Sequence, residues 1–228
     1  RWLERWCDKE PIKVITGLRR CGKSSALALF RERLRETGIP AENILSINFE
    51  SLDNAYPTEA QALYDYVTER LRAGMNYIFL DEVQHVHDFE RAIDGLALRD
   101  DVDLYVTGSN ADMLSGELAT QITGRYVELQ MHPFSFAEYR MAFEGMDDET
   151  LFDRYLTYGG MPYTVNLADE QSISDYLGGV FNTVVMVDVA RRHPRMNMQA
   201  FQRTASFLAD NIGNVTSLSR ISSGLKGV

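Results

Sequence analysis

Cysteine, lysine and long apolar segments are scarce in this sequence. The 228 residues include two cysteines, Cys7 and Cys21, which cannot form a disulfide framework, so we expect a reduced, cytoplasmic protein. Four of the 23 basic residues are lysines, and the net charge of −10 argues against non-specific binding of nucleic acid by the whole surface. No apolar run approaches the length of a membrane span, and no signal peptide opens the chain. We therefore expect no membrane partner.

The size and composition are those of an ordinary globular protein. Apolar residues make up 45% and charged residues 25% of the chain, which is long enough for one α/β domain and a smaller companion. The chain begins with Arg1 instead of Met, and its last residues continue a helical pattern. We therefore expect it to be a piece of a longer protein.

A phosphate-binding pattern, G-x-x-x-x-G-K-S, follows a short β-branched strand near the start of the chain. Its two glycines permit positive φ angles and let the backbone approach phosphate oxygens closely. Lys23 is placed for the β- and γ-phosphates, and the Ser24 hydroxyl for Mg²⁺. The loop N–H groups and the following helix N-terminus add further donors. The predicted nucleotide-binding residues are Gly17, Leu18, Arg19, Arg20, Cys21, Gly22, Lys23, Ser24 and Ser25. The alternative interpretation is a Gly-rich surface turn that ends in an exposed lysine.

Two carboxylates, Asp81 and Glu82, end a continuous apolar strand that begins near residue 76. Unbroken apolarity is typical of a strand buried on both faces of a parallel sheet. At the tip of such a strand, Asp81 would hold Mg²⁺, and Glu82 would orient and deprotonate an attacking water. The alternative is a solvated strand end. No Asn is followed by Lys, so the N-K-x-D signature of guanine specificity is missing and an adenine nucleotide is favoured.

Other polar residues near predicted strand ends are weaker candidates. Ser109 and Asn110 follow the fourth strand and either sense phosphate or position water, or form an ordinary turn. Arg125 precedes the fifth strand and either stabilises a transferring phosphoryl group across a subunit boundary or is a solvated loop arginine. The alternating His85 and His87 invite a metal interpretation, which their spacing supports poorly.

Strands alternate with helices as far as residue 133, which predicts a doubly wound parallel sheet, and the pattern beyond is helical. Five stretches occur in the order typical of one family: GLRRCGKSS, YIFLDEVQ, VTGSN, TGRYVELQMHPFSFAEY and YGGMP. The chain resembles the bacterial and archaeal AAA+ proteins described only as ATPases or ATP-binding proteins. These carry a P-loop AAA core followed by a C-terminal domain that begins with a winged-helix segment.

This resemblance implies an α/β P-loop NTPase fold with a five-stranded sheet in order 5-1-4-3-2. It divides the chain into an ATPase core (1–133), a small helical lid (134–194) and the start of a winged-helix domain (195–228). It assigns roles residue by residue: Gly17 to Ser24 as Walker A, Asp81 and Glu82 as Walker B, Ser109 and Asn110 as sensor 1, Arg125 as the arginine before strand five, and Asp188 as an Asp that precedes the winged helix. Arg154 is a candidate for a sensor-2 arginine.

The combined prediction is an ATPase that binds ATP, releases ADP and uses Mg²⁺, and whose cycle moves the lid and the C-terminal domain. Its predicted partners are other copies of the chain, through Arg125. Nucleic acid is expected only for a longer protein, because the chain stops at Val228, where the recognition helix of the winged-helix domain should follow. The alternative is an interaction or DNA-binding module that holds nucleotide with little turnover. A P-loop kinase is a poorer third interpretation, since nothing marks an acceptor site.

Overall fold

A computed structural model describes residues 1–51, 56–108, 124–143, 145–184, 189–190, 193 and 195–226. The chain forms two compact units, Arg1–Ala168 and Asp169–Val228. The described elements of the first unit are α1 (Trp2–Trp6), β1 (Ile12–Gly17), α2 (Lys23–Glu36), β2 (Ile44–Asn48), α3 (Ala60–Thr68), β3 (Asn76–Asp81), α4 (Phe89–Ala97), β4 (Val102–Thr107), β5 (Tyr126–Met131), α5 (Phe136–Arg140) and α6 (Asp148–Tyr158), with short 3₁₀ helices at Ala41–Asn43, Val83–His85 and Pro162–Asn166.

The sheet confirms the predicted strand order. Its five strands follow the order β2-β3-β4-β1-β5, which is 5-1-4-3-2 read from the other side, and every pairing is parallel. In the register, Gly17 pairs with Met131 and Asn48 pairs with Asp81. Because all carboxyl ends of parallel strands meet at one edge, the residues after β1, β2, β3 and β4 face one crevice, where α/β sheets bind ligands.

Alternate residues of the buried strands build two cores, one on each face of the sheet. On one face, Ile78 and Leu80 of β3 pack with helices α3 and α4. On the other face, Tyr77 and Phe79 pack with α1 and α2, and the ring of Phe79 stacks on Tyr105 with centroids 4.7 Å apart. The cores cover both faces of β3, as the apolar run from residue 76 predicts. They hold its carboxyl end, and so Asp81, in a fixed position.

A buried ion pair lies inside the second core. Lys13 of β1 has no exposed side-chain surface and donates to Asp103 of β4 and to the Lys9 carbonyl. The other oxygen of Asp103 accepts from the Asp8 backbone N–H and from the Tyr105 hydroxyl, both at 2.8 Å. Burial raises the pKa of Tyr105, so the phenol stays a donor. Since each charge has its partners, the pair satisfies the conditions under which a buried ion pair is tolerated.

The same region contains the only cluster of three or more metal-ligand side chains that the described residues offer. Cys7, Asp8 and Asp103 place their ligand atoms within 4.8 Å of one another. The ammonium group of Lys13 already neutralises Asp103, and burial raises the pKa of the Cys7 thiol to about 11. A thiol that stays protonated beside a neutralised carboxylate is a poor metal ligand. We therefore assign this cluster to folding.

After β5, the backbone around Gly160 lies directly against Phe134. The Phe134 N–H donates to the Gly160 carbonyl at 2.7 Å, and the Tyr155 hydroxyl of α6 donates to the Phe134 carbonyl at 2.8 Å. A Cβ placed on Gly160 would lie 2.0 Å from the Phe134 oxygen. The YGGMP stretch is thus explained locally by a close backbone approach that only glycine permits.

We expect Gly160→Ala to destabilise the protein by about 3 kcal/mol, which corresponds to about 6–12 °C in Tm, because the backbone must move to admit the methyl group. Thermal unfolding followed by circular dichroism measures this. The matched control is Gly178→Ala, since nothing lies within 4 Å of a Cβ at that helical position. Equal melting temperatures for the two variants would contradict the proposed steric role of Gly160.

The second unit, taken by itself, is helical where it is described. Its helices are α7 (Glu170–Asn182), α8 (Met198–Asp210) and α9 (Leu218–Lys226), and α8 and α9 contact each other. Asp169 and Asn197 cap α7 and α8 by accepting from backbone N–H groups of the first turn. In the described parts of both units, no helix is both long and apolar enough to cross a bilayer.

Candidate nucleotide-binding site

The loop between β1 and α2 depends on backbone conformations that suit glycine. Gly17 has a φ of +149°, and a Cβ there would lie 2.3 Å from the Met131 carbonyl of β5. Gly22 has a φ of +100° and stands at the N-cap of α2, while Arg20 between them is also left-handed, with a φ of 64°. These angles turn the chain sharply from the end of β1 into the first turn of α2.

Lys23, the first residue of α2, is buried and faces both its own loop and β3. Its Nζ donates to the carbonyls of Gly17 and Leu18 at 3.1 and 3.2 Å. The same Nζ lies 3.6 Å from Oε1 of Glu82, and both side chains are less than one-tenth exposed. The lysine and the second carboxylate of the Asp-Glu pair, predicted separately from sequence, are thus brought together.

Thr107, the last residue of β4, forms hydrogen bonds with both Asp81 and Glu82. Its hydroxyl donates to Oδ1 of Asp81 and accepts from the backbone N–H of Glu82 at 3.0 Å. Glu82 itself has a left-handed φ of 56°, and its other oxygen accepts from Gln84 at 2.5 Å. Thr107 was not among the predicted site residues. The available signal was its place at the end of the strand that neighbours β3.

Cys21 is the buried member of the loop. Its side chain is 2% exposed, and its Sγ would lie 2.9 Å from a Cβ on Gly17. Burial raises the pKa of the thiol, so Cys21 stays neutral and fills space behind the loop. It contributes packing and its backbone N–H, which donates to the Leu18 carbonyl at 3.3 Å.

The residues present fit a nucleotide phosphate with Mg²⁺. Helix α2 has 14 residues, and its N-cap is Gly22, which has no side chain to occupy the first N–H groups. Ser24 and Ser25, in the first turn, are exposed. A buried ammonium group, free helix N–H donors, a serine hydroxyl and a neighbouring carboxylate, Asp81, form the donor set that binds phosphate and Mg²⁺ in P-loop proteins.

Arg125 lies at the amino ends of the strands, at the edge of the sheet opposite to the phosphate loop. Its carbonyl accepts from the Ile12 N–H at the start of β1, whereas Gly17 ends that strand. With five residue steps of ~3.3 Å, the two ends of β1 are about 16 Å apart. The guanidinium group pairs with Asp94 of α4 at 3.0 Å and is half-exposed. Arg125 is therefore remote from the nucleotide site of its own chain.

The remaining candidates have separate positions. Ser109, Asn110 and Asp188 lie outside the described residues. Arg154 is occupied within the first unit, since its guanidinium donates to the Tyr139 hydroxyl at 3.1 Å and to the Leu167 carbonyl at 2.9 Å. These bonds hold Arg154 within the first unit, and its role as a sensor-2 arginine stays a prediction.

The two histidines do not form a shared metal site in the described part of the chain. His85 lies 3.8 Å from Glu50, whereas His87 lies 3.4 Å from Asp88 and 3.8 Å from Glu59. The two histidines face different carboxylates, as expected for exposed histidines in an acidic protein.

Comparison with known proteins matches two parts of the chain to family profiles. The profile of the AAA domain matches residues 9–140, and that of a domain of unknown function matches residues 149–227. An uncharacterized protein of Haemophilus influenzae is 37% identical over 98% of this chain and 57% of its own length. The uncharacterized protein MJ1544 of Methanocaldococcus jannaschii is 25% identical over 94% of this chain and 50% of its own length. The chain thus spans about half the length of these relatives.

Among solved structures, a DNA polymerase III gamma subunit-related protein from Thermotoga maritima superposes with a TM-score of 0.46 at 11% identity. The superposition covers 90% of this chain and 71% of the Thermotoga maritima chain. A likeness at this level carries no argument about activity. The assignment rests on the AAA domain match over more than half of the chain, together with the sheet order and the phosphate loop. The chain belongs to the AAA+ family of P-loop proteins.

Proposed function

We propose that this protein binds ATP at the loop between β1 and α2 and hydrolyses it with Mg²⁺. The observation that carries the proposal is the contact between buried Lys23 and Glu82, 3.6 Å apart at the carboxyl edge of the sheet. The loop motif places Lys23 to bind a phosphate, and Glu82, held beside it directly after β3, is placed to accept a proton from an attacking water. Their proximity favours hydrolysis over a site that only holds nucleotide.

Lys23 supplies positive charge to the β- and γ-phosphates. Its ammonium group has three hydrogens, which in the structure face two carbonyls and one carboxylate. Phosphate oxygens are stronger acceptors than carbonyls, because their charge assists the hydrogen bond. We therefore expect Lys23 to exchange the carbonyls of Gly17 and Leu18 for phosphate and to remain near Glu82.

Glu82 acts as the general base on the attacking water. Its backbone N–H is fixed by Thr107 and one carboxylate oxygen by Gln84, so the other oxygen keeps a defined direction. A carboxylate held in this way accepts the proton of a water that attacks the γ-phosphorus. Thr107 is a positioning residue in this scheme, because it acts only through Asp81 and Glu82.

Ser24 and Asp81 are the residues that would hold Mg²⁺. The ion supplies charge neutralisation for the β- and γ-phosphate oxygens. Asp81 is buried, and within the described residues its side chain receives a hydrogen bond from Thr107 on Oδ1, so Oδ2 is the oxygen that would serve a ligand. Ser24 in the first turn of α2 contributes a hydroxyl. These assignments give Lys23, Ser24, Asp81 and Glu82 one role each.

The proposal also includes a conformational change of the protein that is driven by ATP turnover. Residues 134–194 act as a lid and residues 195–228 begin a winged-helix domain, so that ATP turnover changes the arrangement of the parts of the protein. Because the chain spans about half the length of its relatives, the client and any contact with nucleic acid belong to the whole protein. A purified full-length relative is the sample in which to seek them.

We expect Lys23→Ala to weaken ATP binding by about 10- to 100-fold, because charged hydrogen bonds to the phosphates are lost. Isothermal titration calorimetry with ATP and Mg²⁺ measures this. Lys9→Ala is the matched control, since Lys9 is an exposed lysine outside the loop. Circular dichroism of both variants separates weak binding from misfolding. Unchanged ATP affinity in folded Lys23→Ala would refute the assignment of the phosphate site.

A further inference from the structure

An arginine of the phosphate loop, Arg19, forms an ion pair with a residue that follows β2. Arg19 pairs with Glu50, with Nη1 of the arginine 3.0 Å from Oε1 of the carboxylate. The Arg19 side chain is 18% exposed and that of Glu50 is 45% exposed. Glu50 follows β2 by two residues, and its backbone N–H donates to the Asn48 side chain at 2.9 Å. The pair joins the loop after β1 to the loop after β2.

The strand order shows where the contact between Arg19 and Glu50 lies relative to the sheet. In the sheet, β1 and β2 are separated by β4 and β3. Three spacings of ~4.8 Å put the ends of β1 and β2 about 14 Å apart. A contact between the two loops must therefore pass above the carboxyl ends of β4 and β3, where Thr107, Asp81 and Glu82 lie. The strand order thus places the contact between Arg19 and Glu50 over the crevice in which the phosphates would lie.

We infer that Arg19 detects the γ-phosphate of ATP by exchanging the Glu50 carboxylate for the terminal phosphoryl oxygens. The inference rests on the proposed binding of ATP at this loop. With ADP, Arg19 keeps Glu50 as its partner. With ATP, the guanidinium group turns to the γ-phosphate and releases the loop that follows β2. The contact between Arg19 and Glu50 thus differs between the two nucleotide states.

The energetics favour this exchange. A partly exposed ion pair is screened by solvent and changes an equilibrium constant only a few-fold. A guanidinium group on a phosphate forms two parallel, charge-assisted hydrogen bonds and binds more strongly. Glu50 is not left alone afterwards, because Nε2 of His85 lies 3.8 Å from the same carboxylate oxygen. His85 ends the 3₁₀ helix that begins directly after Glu82, so the carboxylate of Glu50 stays beside that helix.

The test compares affinities for ADP and for a non-hydrolysable ATP analogue with an imido bridge between the β- and γ-phosphates. We expect Arg19→Gln to weaken the analogue about tenfold and to change ADP affinity less than twofold. Glu50→Gln should tighten the analogue a few-fold, because the competing carboxylate is neutralised. In the Arg19→Gln background, Glu50→Gln should have no further effect, as a double-mutant cycle requires for residues that act on each other.

The matched control is the exposed pair of Arg35 and Glu32 on the far part of α2, 2.6 Å apart. Arg35→Gln and Glu32→Gln carry the same charge changes and should leave both affinities unaltered. If Arg19→Gln weakens ADP and the analogue equally, Arg19 does not contact the γ-phosphate. If Glu50→Gln changes the affinity for the analogue equally with and without Arg19, the substitution acts through the loss of charge alone. Both results overturn the inference and leave the proposed function intact, whereas wild-type protein that binds neither nucleotide overturns both.

Discussion

Glu82→Gln is expected to bind ATP with wild-type affinity and to lose about 100-fold or more of its turnover. A general base contributes about 10²–10⁴-fold, and glutamine keeps the shape of the side chain but cannot accept the proton of the attacking water. Lys23 remains in place to hold the phosphates. Phosphate release under saturating ATP measures turnover, and calorimetry measures affinity on the same preparation.

The control for this variant is Glu69→Gln, the same substitution at an exposed carboxylate that pairs only loosely with Arg70 at 3.7 Å. It should leave phosphate release unaltered. Turnover of Glu82→Gln equal to that of wild type would remove Glu82 as the base. Loss of ATP affinity together with turnover would assign the residue to binding instead.

Arg125→Ala is expected to bind ATP normally and to lose about 10³-fold of its hydrolysis, the factor that an arginine finger supplies. The physical reason is its position. Arg125 lies at the edge of the sheet opposite to Lys23 and, in the described part of the chain, pairs with Asp94, so we expect it to reach a phosphate only in another copy. Wild-type hydrolysis should then rise more steeply than linearly with protein concentration.

A mixture of Arg125→Ala and Lys23→Ala tests this arrangement directly. One partner keeps an intact phosphate site and the other keeps the arginine, so mixed assemblies should regain part of the activity. Arg99→Ala is the control, because Arg99 also forms a partly exposed ion pair, with Asp101, near the start of β4. Specific activity that is flat with concentration, without recovery in the mixture, would make Arg125 an intramolecular residue and favour a monomeric switch.

The phosphate loop and the sheet were predictable because both depend on local patterns. The spacing of Gly17, Gly22 and Lys23 marks the loop, and the apolar run that ends at Asp81 marks a central strand. Strand order came from the family resemblance, and the register of β1 with β4 and β5 agrees with it. The local sequence therefore predicts the position of the phosphate loop and of the strand that ends at Asp81.

The contacts that complete the site were not predictable in the same way. Thr107 reaches Asp81 only because β4 lies beside β3, and the sequence of β4 alone does not show its neighbour. Glu50 belongs to no motif, and its pairing with Arg19 depends on the geometry of four strands. The buried Lys13 is similar: a lysine in a strand is typical of a solvated position until its partner, Asp103, is known.

The most direct test of the account is a single-turnover experiment with excess protein and ATP labelled at the γ-phosphate, in the presence of Mg²⁺ or a chelator. We predict that bound ATP is converted to ADP and free phosphate with Mg²⁺, that conversion nearly stops with the chelator, and that Glu82→Gln retains the label as ATP in both conditions. Bound ATP that is never converted at any protein concentration would contradict hydrolysis and identify a module that only holds nucleotide. A protein that retains no label at all would contradict the nucleotide site itself.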